Sequence, residues 1–170
     1  MLPKETSESV VRPYETNDAD AVCSVIKTVF EEFGFPWLPN SANRDCYAIE
    51  KHYHERGGGF WVVEVNGEVV GTCGYIPHDN KRCELLRMYL LPQFRGQGLG
   101  KKIFNAVAKD AFSRGFLEME IWSDKVLITA HNFYRSIGAI PIGERVCKDS
   151  DSGERWEEWG FLLDLKDYLR

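Results

Sequence analysis

The sequence lacks an excess of positive charge and lacks any long apolar run. Its 170 residues carry 21 lysines and arginines against 26 aspartates and glutamates, which gives a net charge of −5. This balance argues against a general nucleic-acid-binding protein and mildly favours a cationic or amine substrate. No signal peptide or transmembrane segment can be recognised. We therefore expect a cytoplasmic protein with no membrane partner and no nucleic-acid partner.

Paired cysteine motifs are also missing. The chain has five cysteines, an odd number, and no Cys-x-x-Cys pair occurs. We expect reduced, buried thiols rather than a disulfide framework. The four histidines have no spacing typical of a zinc site, so we predict no metal.

The hydrophobic pattern predicts one α/β domain over residues 1–170, with a flexible tail at 1–8. A hydrophobic fraction of 44% in a chain of this length is enough for one globular core. Glycine, proline and asparagine turns divide the chain into eleven elements in the order β-α-α-β-β-β-α-β-α-β-β. The predicted strands are 9–14, 60–65, 68–76, 82–91, 116–122, 139–146 and 156–163, and the predicted helices are 17–34, 41–56, 98–114 and 125–137.

A turn rich in glycine separates the apolar run 85–91 from the third predicted helix. It contains Gly96, Gly98 and Gly100, and Arg95 and Lys101 add positive charge. The first amides of a helix are unpaired, its N-terminus is the positive end of the macrodipole, and glycine lets a phosphate approach the backbone. The turn therefore predicts an anion-binding site. It is not a nucleotide P-loop, because no serine or threonine follows Gly100-Lys101.

The spacing Arg-Gly-Gln-Gly-Leu-Gly (95–100) resembles the pyrophosphate loop of the GNAT superfamily of acetyl-CoA-dependent N-acetyltransferases, whose signature is Arg/Gln-x-x-Gly-x-Gly/Ala. Leu-Leu-Arg-Met-Tyr-Leu-Leu-Pro (85–92) resembles the strand that precedes this loop in the family. Asn-Phe-Tyr-Arg-Ser-Ile-Gly-Ala (132–139) resembles the end of its later helix. The three elements follow one another in the order that the family has.

The resemblance implies a GNAT-type fold, a mixed and mostly antiparallel sheet of about seven strands flanked by helices. The sheet would open into a V that holds acetyl-CoA. Backbone amides of the loop would hold the pyrophosphate, and the main chain of the preceding strand would pair with the pantetheine arm. Asn132 would also contact that arm, although the usual asparagine position of the family is Leu127 here. The implied cofactor-binding residues are Met88, Tyr89, Leu90, Arg95, Gly96, Gln97, Gly98, Leu99, Gly100, Lys101 and Asn132.

Acetyl transfer to an amine needs a base for the amine proton and an acid for the leaving thiolate. The resemblance implies that Tyr134, four residues before Gly138, is the acid; the alternative is a tyrosine packed on a helix face. Glu84 is the candidate base, acting directly or through water, and Glu120 is its rival. Either carboxylate could instead be a solvated charge or part of an ion pair, for instance with Arg87.

We expect an N-acetyltransferase that acts on a primary amine by direct attack in a ternary complex. A small-molecule amine is the favoured acceptor, and protein N-termini or lysines are the alternative. A non-catalytic acyl-CoA sensor on the same fold is a second hypothesis. By resemblance, aromatic residues at 33–38 with Tyr47, Trp156 and Trp159 would wall the acceptor pocket. The same aromatics could instead form the surface of a homodimer.

Overall fold

A seven-stranded sheet in the order β1-β2-β3-β4-β5-β7-β6 runs through the computed structural model, which describes residues 8–170. Most of the predicted tail, residues 1–7, lies outside the described residues. The strands are β1 (Ser9–Pro13), β2 (Gly59–Val65), β3 (Glu68–Pro77), β4 (Arg82–Leu90), β5 (Glu118–Asp124), β6 (Ile140–Lys148) and β7 (Arg155–Asp164). The helices are α1 (Ala19–Phe33), α2 (Leu99–Ser113), α3 (Ile128–Ser136) and α4 (Leu165–Tyr168).

All strand pairs are antiparallel except β4 with β5. This confirms the predicted mixed and mostly antiparallel α/β sheet. The parallel ladder joins residues 82–85 to residues 118–121 and then ends. Since β4 continues to Leu90 and β5 to Asp124, the two strands separate beyond the ladder and the sheet opens between them.

Helices cover the two faces of the sheet because their apolar side chains recur at helical spacing. On one face, α2 buries residues that pack against alternate side chains of β4, β5 and β7, namely Ile103, Phe104 and Val107 with Leu85, Met119, Ile121 and Phe161. On the other face, α1 packs Val22 and Ile26 against Phe60 and Val62 of β2. On its face of the sheet α2 thus lies mainly over β2, β3 and β4, and α1 lies over β3 and β4 on the other face.

A β-bulge interrupts β4 just before the sheet opens. Leu86 pairs with Gly74 and Tyr89 with Thr72, so β4 has one more residue than β3 over this interval. Arg87 has a φ of 53°, a left-handed conformation that non-glycine residues adopt infrequently. The Thr72 hydroxyl donates to the Arg87 carbonyl over 2.7 Å, which gives the bulged backbone a partner.

The prediction of one continuous helix at 41–56 is wrong. The structure has a 3₁₀ turn at Arg44–Tyr47 and a separate π-helical turn at Glu50–His54, and Ala48 between them has φ −152°. The Tyr53 hydroxyl donates to Asp45 over 2.6 Å. A continuous helix would place Asp45 and Tyr53 about 12 Å apart along its axis. The hydrogen bond between them therefore requires that the helix be interrupted.

Candidate active site

A cleft of about 860 Å³ lies where β4 and β5 separate. The bulge of β4 and the end of β5 line it at the centre, and α3 lines it beside Tyr134. The end of α1 with its following loop, the segment 41–56 and the start of β7 complete its walls. The strand and the later helix of the sequence prediction therefore meet at this cleft, whereas residues 95–101 of the glycine loop do not line it.

The glycine loop leads from β4 into α2 with an exposed backbone. Gly96 and Gly98 have φ values of 74° and 79°, and Gly98 immediately precedes the first residue of α2. A Cβ atom built on either glycine would meet nothing within 4 Å. Leu99 is buried and anchors the helix start in the core. The unpaired amides of the α2 N-terminus therefore face open space, which fits an anionic group bound to the backbone.

Arg95 connects the glycine loop to α1. Its two terminal nitrogens each donate to one oxygen of Glu32 over 2.7 Å, and its Nε donates to the Leu90 carbonyl over 2.9 Å. The Arg95 hydrogen bonds hold the pKa of Glu32 below its usual range. The guanidinium thus fixes the loop against the last turn of α1, a role that the signature spacing alone does not reveal.

The predicted cofactor-binding residues of β4 divide into two groups. Met88 and Tyr89 line the cleft, whereas the Leu90 side chain lies away from it over Gly71 of β3. In the loop, the exposed Gln97 donates to the Gln93 carbonyl over 3.2 Å. The loop side chains do not line the cleft, so their predicted role depends on backbone amides.

Tyr134 lies on α3 with its ring in the cleft wall. Only 5% of the residue is exposed, and its ring packs 5.7 Å from that of Phe161. Burial raises the pKa of Tyr134 above its ordinary value, so the phenol stays protonated. Asn132, on the same helix, is exposed and does not line the cleft, whereas Leu127 does. The predicted contact of Asn132 with the pantetheine arm stays a prediction.

Glu84 and Glu120 pair in register across the parallel ladder, and neither residue lines the cleft. Burial raises the pKa of Glu84, although Arg145 lies 3.8 Å away and acts in the opposite direction. Glu120 accepts hydrogen bonds from the Trp122 indole and from Arg82. Of the two predicted carboxylates, the structure therefore gives Glu84 the environment that suits a base.

Glu158 is a carboxylate that the sequence analysis did not identify. It lies on β7, lines the cleft, and accepts a hydrogen bond from Arg145 Nε over 2.6 Å. Arg145 also stacks its guanidinium 4.4 Å from the centre of the Trp122 ring. Arg145 thereby links the carboxylates of β4 and β7 across the open part of the sheet.

An ion pair whose side chains are only 13% and 17% exposed forms the wall opposite β5. Arg87 donates to both carboxylate oxygens of Asp45, over 2.9 and 2.7 Å, and to the Ala42 carbonyl over 2.7 Å. Burial alone would raise the pKa of Asp45, but the hydrogen bonds and charge of Arg87 outweigh it and lower that pKa. The expected pairing of Glu84 or Glu120 with Arg87 is therefore wrong, because the bulge turns this arginine toward segment 41–56.

Only some of the aromatic residues expected around the acceptor line the cleft. Phe33, Phe35 and Trp156 line the cleft. Tyr47 and Trp159 do not, and they are 59% and 38% exposed. His131 of α3 is buried, and burial lowers its pKa.

Within residues 8–170, no group of three histidine, cysteine, aspartate or glutamate side chains is arranged to hold a metal ion. No helix in the same part of the chain has the length and apolar character needed to cross a membrane.

Residues 24–139 match the family described as the Acetyltransferase (GNAT) family. The chain belongs to the GNAT acetyltransferase family. It is therefore an acyltransferase. In sequence it is 33% identical over 134 residues to the uncharacterized N-acetyltransferase YjgM of Escherichia coli K12, covering 76% of this chain and 80% of that one. It is 32% identical over 120 residues to N-acetyltransferase 8 of Rattus norvegicus, covering 65% of this chain and 54% of that relative's length.

Solved GNAT structures share the fold at low sequence identity. An acetyltransferase from Streptococcus agalactiae superposes with a TM-score of 0.79 at 21% identity, covering 92% of this chain and 98% of that one. The protein yncA from Salmonella typhimurium, solved with its cofactor acetyl-CoA, gives a TM-score of 0.73 at 18% identity and covers 94% and 95% of the two chains. These likenesses establish the arrangement of the sheet and helices.

The buried pair predicts that Asp45→Asn lowers the free energy of unfolding by about 3 kcal/mol, because it leaves the Arg87 charge buried without its partner. Urea unfolding at pH 7 measures the change. The lowered pKa of Asp45 means that its stabilisation is present above its unfolded pKa of about 3.9 and is lost as the pH falls through the folded value. The difference between the two proteins should therefore shrink below about pH 4.

Asp167→Asn is the matched control, since Asp167 pairs with Arg170 where both side chains are more than half exposed. Its free energy of unfolding should stay close to that of the wild type. Equal stability of Asp45→Asn and wild type would mean that the pair does not support the cleft wall.

Proposed function

We propose that the chain transfers an acetyl group from acetyl-CoA to the primary amine of a small molecule, by direct attack in a ternary complex. The observation that carries this proposal is the buried phenol of Tyr134 in the wall of the cleft between β4 and β5. The glycine loop that follows β4 has open space in front of its backbone. Membership in the GNAT family supports the acyl chemistry. A non-catalytic acyl-CoA sensor on this fold is the alternative.

The glycine loop and the free edge of β4 fit the two polar parts of acetyl-CoA. The amides of residues 96–101 would hold the pyrophosphate at the positive end of α2, with Lys101 and Lys102 exposed beside them. The main chain of residues 88–90 would pair with the pantetheine arm, because β5 has already separated from this part of β4. Bound there, acetyl-CoA supplies an activated thioester.

Two side chains would handle protons. Tyr134 would donate its hydroxyl hydrogen to the departing sulfur, either as a hydrogen bond or as a proton. Glu84, whose pKa is raised by burial, would accept the amine proton through a water, since the residue does not itself line the cleft. Glu158 lines the cleft nearby and is the rival base.

The dimensions of the cleft support a small acceptor. Its volume of about 860 Å³ lies within the range of about 300 to 1,000 Å³ typical of small-molecule pockets. Two aromatic residues of the cleft lining, Phe33 and Trp156, would exclude water from an apolar part of the acceptor. The cytoplasmic location and the capacity to form a homodimer stay predictions from the sequence.

The loop assignment predicts that Gly98→Val weakens acetyl-CoA binding at least about tenfold. Valine is strained at a positive φ, and its side chain would occupy the open space in front of the amides. Isothermal titration measures the affinity. Gly115→Val is the control, because Gly115 also has a positive φ with open space around its Cβ, but it follows α2 instead of preceding it. An unchanged affinity in Gly98→Val would refute the loop assignment.

Removing the phenol hydroxyl with Tyr134→Phe should lower turnover roughly 100-fold, the usual cost of losing one donor to a developing negative charge. Thiol release from acetyl-CoA across a panel of primary amines measures turnover, and titration should show little change in cofactor affinity. Tyr168→Phe is a control that removes a half-buried hydroxyl bonded to Asn105, away from the cleft. Wild-type turnover in Tyr134→Phe would exclude Tyr134 from the reaction.

If Glu84 is the base, kcat/KM should fall at low pH with an apparent pKa above the ordinary glutamate value of about 4.3. The direction follows because a base acts only when it is deprotonated, and burial raises the pKa of Glu84. Glu84→Gln should lower kcat/KM about 100-fold or more and abolish this acidic limb. Glu158→Gln is measured in parallel, and loss of the limb in that variant alone would assign the base to Glu158.

A further inference from the structure

The two walls of the cleft carry opposite net charges. One wall, the basic wall, is formed by segment 41–56 and the β4 bulge and has a net charge of +2. Its charged residues are Arg44, Arg56, Arg87 and Asp45. The other wall, the acidic wall, is formed by the end of β5 and the start of β7 and has a net charge of −2. Its charged residues are Lys125, Arg155, Asp124, Glu154, Glu157 and Glu158. The separation of β4 from β5 lies between the two walls.

The basic wall also contains a buried hydrogen-bond donor that is not used. Asn43 lines the cleft and is 1% exposed, and its Oδ1 accepts from the Leu38 amide over 2.8 Å. Its Nδ2 has no hydrogen-bond partner among the described residues. Arg87 donates to the carbonyl of Ala42, the residue before Asn43, over 2.7 Å, so the ion-paired arginine and Asn43 belong to the same wall. Buried polar groups are rarely left unpaired, and an oxygen ligand would pair this one.

The acidic wall is concentrated near the candidate bases. Asp124 of β5 pairs in register with Glu158 of β7, which brings two carboxylates to the same rim of the cleft. Arg145 connects Glu158 to Glu84 behind this rim. A protonated amine would be attracted to this wall and would approach the groups that can remove its proton.

We infer that the acceptor carries a carboxylate as well as its amine, as in an amino acid or a close analogue. Its carboxylate lies against the basic wall beside Asn43, and its amine faces the acidic wall near Glu158. This inference rests on the proposed function and restricts its acceptor from any small primary amine to one that also carries a carboxylate. A diamine would match only the acidic wall and would leave the basic wall without a partner.

Acceptors matched in shape but not in charge test the inference. The pairs are phenylalanine with phenethylamine, leucine with 3-methylbutylamine, and each amino acid with its carboxamide. Thiol release from acetyl-CoA gives kcat/KM for every member. At least one amino acid should exceed both its decarboxylated and its amide partner by about tenfold or more, since charge-assisted hydrogen bonds are the stronger class. Equal or higher values for the partners throughout would overturn the inference.

Asn43→Asp replaces the unused donor by an anionic oxygen while it keeps Oδ1 for the Leu38 amide. We expect it to lower the ratio of kcat/KM for the amino acid to that for the decarboxylated amine at least about tenfold. Asn40→Asp makes the same change on the same segment, at an exposed residue that does not line the cleft, and should leave the ratio unchanged. Equal ratios in the two variants would contradict the proposed role of Asn43.

Binding of products gives a readout that does not depend on turnover. With CoA present, titration calorimetry should show tighter binding of N-acetylphenylalanine than of N-acetylphenethylamine, and Asn43→Asp should remove the preference. Turnover of simple amines with no preference for carboxylates would overturn this inference and leave the proposed function standing. Carboxylate preference in binding without turnover of any amine would uphold the ligand class and overturn the proposed enzyme activity.

Discussion

The parallel ladder between β4 and β5 ends after residues 82–85 and 118–121, and the active cleft depends on this early end. Continued pairing would use the β4 backbone in the sheet and fill the space that the cleft occupies. The bulge at Arg87 accompanies the separation, since an extra residue bends a strand and increases its twist. The left-handed φ of Arg87 is unfavourable for a side chain of this size. Its ion pair with Asp45 and the hydrogen bond from Thr72 to its carbonyl offset that cost.

Three long-range arginine contacts connect the opened sheet to the parts that would bind ligands. Arg87 holds segment 41–56 against the bulge, and Arg95 holds the glycine loop against α1. Arg145 holds β6 and β7 against the Glu84 side of β4. Each guanidinium joins elements that are distant in the chain and adjacent at the cleft. The cofactor loop and the acceptor walls are thereby fixed to one frame, so a ligand on one side meets a cleft whose other side is already positioned.

The local features of this fold could be predicted from the sequence, and the arginine contacts could not. The glycine loop follows from φ requirements and spacing within six residues, and the Asn66-Gly67 hairpin from a two-residue turn with positive φ at both positions. Asp45 and Arg87 are 42 residues apart, and Glu32 and Arg95 are 63 apart, so no periodicity connects them. The wrong helix at 41–56 has a related cause, since Arg87 holds Asp45 from 42 residues away and the Tyr53–Asp45 hydrogen bond favours two short turns. Tyr134 could be proposed from the sequence because the family motif marks it, whereas Glu158 lies in a strand with no motif.

The pKa of Tyr134 decides what the phenol can do. An ordinary tyrosine has a pKa of about 10 and a thiol about 8.5, so a phenol is already the weaker acid of the two. Burial in α3 raises the pKa of Tyr134 further, which makes full proton transfer to a departing thiolate more unfavourable. A hydrogen bond to the sulfur needs no such transfer, and in a buried site it is stronger than in water. Tyr134 is therefore best suited to stabilise the thiolate as a hydrogen-bond donor. Burial also raises the pKa of Glu84, which makes that carboxylate a better proton acceptor. One physical effect, burial, thus keeps the phenol of Tyr134 protonated and would strengthen Glu84 in the proposed role of base.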